Sequence, residues 1–101
     1  MIILKPGVSV KKCNTQIILA AMVADRIYDS HGKTLVITSC SDGIHSDNSL
    51  HYSGNAIDLR IRDIEDTVLA NILKELKDYL GSEYDVILEN DHFHIEYDPK
   101  T

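Results

Sequence analysis

No stretch of this 101-residue sequence approaches the ~20 apolar residues that a membrane-spanning helix needs, because charged or polar residues interrupt every hydrophobic run. Membrane insertion is therefore not expected. No secretory leader is expected either, since Ile2, Ile3 and Leu4 before Lys5-Pro6-Gly7 are too short for its apolar core, and cytoplasmic synthesis without a signal peptide is the expectation. Basic charge is scarce. Ten Lys and Arg against sixteen Asp and Glu give a formal charge of -6, which repels phosphate backbones and argues against a nucleic-acid partner. Cysteine is equally sparse: the spacing of Cys13 and Cys40 resembles neither a zinc knuckle nor a redox pair, and without a secretory context they read as free thiols. Internal repeats, low-complexity tracts and linkers are also missing. What remains is the composition of an ordinary folded chain, 44% hydrophobic and 26% charged, expected to form one domain over residues 1–101 and to be a monomer.

A helical pattern begins near Asn14, whose side chain suits a helix cap, and ends at His31-Gly32. Ile17, Ile18, Ala21, Ala24, Ile27 and Tyr28 recur at three- and four-residue spacing and should share its buried face. Residues 34–38 are apolar and β-branched, as a buried strand requires, whereas 39–49 turn abruptly to Ser, Asp, Asn, Gly and His and read as a loop. Residues 55–61 alternate, with Ala56, Asp58 and Arg60 on one face of a strand and Ile57, Leu59 and Ile61 on the other. Asp63-Ile64-Glu65-Asp66 supplies acidic helix-start chemistry for a second helix whose stripe is Val68, Leu69, Ile72, Leu73, Leu76 and Leu80, ending at Gly81. Two final strands, 84–88 and 93–97, should form a hairpin across Glu89-Asn90-Asp91. The order predicts an α+β fold, a small antiparallel sheet packed against two helices.

Of the five histidines, His31, His45, His51, His92 and His94, four fall in two short segments that also hold Asp58, Glu89 and Asp91. Imidazole nitrogens and carboxylate oxygens are the ligands of a catalytic zinc, which takes three side chains and leaves a fourth position for water. His92 and His94 stand two apart on an expected strand, so both leave one face. Gly54 permits a tight bend that brings the strand carrying Asp58 back beside His51. Each element alone also has a structural explanation, as a half-exposed histidine pair, a solvated aspartate or a polar surface loop.

The run from Ser49 to Asp58 has the form S-x-H-x-x-G-x-A-x-D and is followed by His92-Phe93-His94. This resembles the zinc peptidases that include D-alanyl-D-alanine carboxypeptidases and phage L-alanyl-D-glutamate endopeptidases. Back through Asp42-Gly43 and His45 it also resembles the amino-terminal signalling domain of hedgehog proteins. The resemblance extends from about Thr34 to Tyr97. It implies a hedgehog/DD-peptidase-like fold, zinc held by His51, Asp58 and His94, support from Ser49, and a site lined by His45. Peptidoglycan stem or cross-link peptides are the implied substrate. For the general base it offers Asp91, three positions before His94, or His92, with Glu89 a third candidate. Many carboxypeptidases of the family carry an arginine just after the strand that precedes the zinc loop, but here that segment is Thr38-Ser39-Cys40-Ser41-Asp42. The departure favours an endopeptidase, with Arg26 or Arg60 as possible spatial substitutes. The resulting expectation is a phage or prophage lysis enzyme that reaches the wall at lysis or from a virion. The alternative is a non-catalytic, zinc-stabilised binding module or virion component.

Overall fold

Asn14 starts the first helix as the sequence predicts: its side-chain oxygen accepts the Ile17 N–H at 3.1 Å, satisfying one of the free amides of the first turn. The computed structural model describes residues 1–11, 13–40 and 54–99. In chain order these form β1 (Ile2–Leu4), α1 (Thr15–Ser30), β2 (Leu35–Ser39), β3 (Ala56–Arg60), α2 (Asp66–Leu80), β4 (Tyr84–Leu88) and β5 (His92–Tyr97). The start of α2 differs from the expectation in detail. Glu65 occupies the cap without a side-chain hydrogen bond, and Asp66 places a negative charge in the first turn, where the helix dipole favours it.

The five strands make one sheet in the order β1-β2-β3-β5-β4. It is mixed rather than wholly antiparallel, because β1 runs parallel to β2 while the other three pairings are antiparallel. The reason lies in α1, which connects β1 to β2 as a crossover and returns the chain in its original direction.

Both helices cover the same face of the sheet. Ile17, Ala24 and Tyr28 of α1 and Ile72 and Leu76 of α2 are fully buried in one cluster with Leu35, Ile57, Leu59, Phe93 and Ile95 from the strands. Each buried Leu, Ile or Phe here contributes about 1.5–3 kcal/mol relative to exposure, which makes this layer the principal source of stability. One assignment is corrected: Ile18 is 40% exposed and Ala20 takes the buried place, because Ile18 falls at the edge of the helical stripe. Tyr28 adds a specific tie, its hydroxyl donating to the Arg60 carbonyl at 2.9 Å, and burial pushes its phenol well above the ordinary range. The contact fixes α1 to the end of the strand that carries Asp58.

The cysteines also depart from expectation, since Cys13 and Cys40 are joined in a disulfide and neither is free. Their separation of 27 residues gives no local sign of pairing. The parallel crossover brings the start of α1 beside the end of β2, leaving the two Cα atoms 6.8 Å apart, within the span of such a bond. Among the described residues no helix is long and apolar enough to cross a membrane.

Candidate metal centre

Strand alternation divides the residues of β3 and β5 between two environments. Ile57, Leu59, Phe93 and Ile95 enter the core beneath the helices, so Asp58, Arg60, His92, His94 and Glu96 share the opposite face. Register then sets the pairs. Asp58 lies directly across from His94, Arg60 from His92 and Ala56 from Glu96. Gly54, just before β3, has a φ of 77°, in the left-handed region that a β-carbon disfavours, while His51, toward which the bend was expected to return the strand, lies outside the described residues.

His94 Nδ1 stands 2.8 Å from Asp58 Oδ1, and its Nε2 stands 2.8 Å from Glu96 Oε1. A carboxylate can only accept, so both ring nitrogens donate and the imidazole bridges two anions as a cation. The Asp58 hydrogen bond is the main cause of a raised His94 pKa, opposed by desolvation and reinforced by Glu96. A metal cation held by Asp58 Oδ1 and His94 Nδ1 would have to displace the proton on Nδ1.

His92 completes the group. Its Nε2 lies 3.6 Å from Asp58 Oδ1, while its Nδ1 lies 2.5 Å from Asp91 Oδ1. Ligand atoms of Asp58, His92 and His94 all fall within 4.8 Å of one another. The three side chains are partly buried, 16%, 25% and 17% exposed, whereas that of Asp91 is 87% exposed. Asp91 thus sits at the rim and reaches the centre through His92.

Asp58, His92 and His94 converge with Asp91 attached, while His51, Ser49 and His45 lie outside the described residues. Glu89 is exposed at the β4–β5 turn, where its backbone N–H donates to the His92 carbonyl at 2.9 Å. Of the two arginines, Arg60 shares the face of the centre, whereas Arg26 lines a groove between the helices with Ile27, Glu75 and Tyr79. His31 has a structural role, its Nε2 meeting Glu75 Oε1 at 3.0 Å and tying the end of α1 to α2.

Glu96 is the residue that sequence reasoning missed. The signal was available, because a residue two beyond a strand histidine leaves the same face. A second acidic group, Asp85, Glu96 and Asp98, also brings its oxygens within 4.8 Å of one another. It contains no nitrogen donor, so its chemistry suits hard cations rather than zinc.

No protein-family model matches the chain, and comparison with curated proteins finds no match.

Proposed function

We propose that this protein is a zinc-dependent peptidase acting on peptidoglycan stem or cross-link peptides, an endopeptidase rather than a carboxypeptidase. The observation that supports this reading is the convergence of Asp58, His92 and His94 on the helix-free face of the sheet, with mixed nitrogen and oxygen donors. The oxygen of Asp58 and the nitrogen of His94 are donors of the kind zinc takes, and His92 stands beside them. Asp58 through Oδ1 and His94 through Nδ1 would hold the ion, with His51, the remaining ligand implied by the resemblance, completing the set. A zinc ion so held supplies Lewis acidity toward a peptide carbonyl and lowers the pKa of water to about 7.

With those ligands committed, His92 is free to act as a base. With Nδ1–H donated to Asp91 Oδ1 at 2.5 Å, the neutral ring would keep Nε2 unprotonated, 3.6 Å from Asp58 Oδ1. In hydrolysis His92 takes the proton of the attacking water at Nε2 and later delivers it to the leaving amine, while Asp91 stabilises the transient imidazolium. The exposure of Asp91 leaves its charge partly screened, so its main contribution is orientation. Arg60, on the same face, offers a guanidinium for a carboxylate of the substrate. In this reading the protein binds stem peptides and acts at the wall after release at lysis or from a virion.

The test is digestion of purified peptidoglycan by the zinc-loaded protein, with a chelated control and mass spectrometry of the soluble fragments. Chelator-sensitive release of peptides cut within the stem or cross-link supports the reading. Release of terminal D-alanine alone overturns the endopeptidase assignment, and intact peptidoglycan beside one bound zinc favours a binding module.

A further inference from the structure

We infer that Glu96 is the positioning residue of the metal centre, holding His94 by Nε2 so that Nδ1 is the nitrogen presented to the cation. The inference rests on the metal reading above and adds a residue to it. An imidazole can turn about its terminal torsion and offer either nitrogen, so a ligand histidine needs a second contact to define its orientation. Glu96 supplies that contact at 2.8 Å, from a side chain only 21% exposed. Its place follows from the strand, because it is two residues beyond His94 and shares its face.

The two carboxylates around His94 are thereby given different tasks. Asp58 comes from β3 and faces Nδ1, so a cation held on that side would have an oxygen and a nitrogen donor. Glu96 comes from the same strand as His94 and faces only the remote nitrogen. Across β3 its partner is Ala56, which brings no polar side chain to compete for the carboxylate. Across β4 its partner is Asp85, whose like charge favours keeping Glu96 on the histidine N–H. With a cation in place of the Nδ1 proton, the Nε2–H would still have Glu96 as its acceptor, and that bond would make the ring a better donor.

The experiment measures the affinity of the full chain for zinc alone, by competition with a chromophoric chelator, with circular dichroism to establish folding. Loss of such a supporting group typically weakens metal binding 10–100-fold, and that loss is expected for Glu96→Ala. Glu96→Gln keeps a carbonyl that accepts the same N–H, so its affinity should stay near that of the parent. Nitrogen NMR of the zinc-loaded parent and Glu96→Gln proteins should show His94 metal-bound at Nδ1 and protonated at Nε2. Unchanged affinity in Glu96→Ala overturns the inference while leaving the metal centre intact. A Gln variant as weak as the Ala variant also overturns it, because charge rather than the hydrogen bond would then matter. Asp98→Asn weakening zinc as much as Glu96→Ala would move the ion to the acidic group and overturn it as well. A parent protein that binds no zinc overturns both this inference and the metal reading.

Discussion

Replacing Asp58 by alanine should separate its contribution to the metal-free fold from the one proposed for it in metal binding. Without metal, the carboxylate accepts a charge-assisted hydrogen bond from His94 at 2.8 Å in a partly buried setting. Bonds of that type contribute about 1.5–3 kcal/mol. A chain of 101 residues has a midpoint unfolding entropy of roughly 0.21 kcal/mol per degree. The metal-free variant should therefore melt about 7–14 °C below the parent. Zinc then distinguishes the proteins. Free zinc at about 100 times its dissociation constant stabilises a one-site protein by about 2.7 kcal/mol, which corresponds to a rise of about 13 °C in the parent. The Asp58→Ala protein should show almost none of that rise. Differential scanning calorimetry with and without zinc, each sample first treated with chelator, reads both quantities. An Asp58→Ala protein that gains as much from zinc as the parent would refute the ligand assignment, and an unchanged metal-free midpoint would refute the contribution of the His94 bond.

Reduction of the Cys13–Cys40 disulfide releases a loop of 27 residues, for which chain-entropy arguments give about 3.5 kcal/mol of lost stability. Urea unfolding with and without a phosphine reductant measures this, and coincident curves would show that the bond does not stabilise the fold. Tyr28 predicts a loss of stability in alkali. Its folded-state pKa is raised, so the unfolded chain ionises first, and stability present below the ordinary value of 10.0 is lost as pH rises above it. The slope approaches about 1.4 kcal/mol per pH unit, and Tyr28→Phe should remove it from a denaturant-midpoint series. Asp91→Asn should bind zinc like the parent yet hydrolyse peptidoglycan more slowly, because it touches the centre only through His92. Parallel chelator titration and fragment release check this, and an equal loss of zinc affinity would place Asp91 among the groups that hold the ion.

The two helices were legible because their apolar residues recur with helical period and their boundaries carry Asn14 at one end and Gly81 at the other. Strand alternation was equally informative. It put Asp58 and Arg60 on one face of β3 and His92 with His94 on one face of β5, and the structure brings those faces together. Pairing between distant segments was not legible. Nothing local to Cys13 and Cys40 indicated that the crossover through α1 would join them, and nothing in Ile2–Leu4 indicated a parallel partner. Asp91 was recognisable by its spacing from His94, but its attachment to His92 Nδ1 depends on side-chain rotamers that spacing does not specify. Glu96 lies outside the ligand motif, and its tie to the second nitrogen of His94 depends on the ring's orientation, which the strand pattern does not specify.

The most direct test is a crystal structure of the zinc-loaded protein with anomalous scattering recorded at the zinc edge. One peak is expected beside Asp58 and His94, about 2.0–2.2 Å from a carboxylate oxygen and from an imidazole nitrogen, with the nitrogen identified as Nδ1. A peak at Asp85, Glu96 and Asp98, or no peak beside Asp58 and His94, would contradict the proposed zinc site.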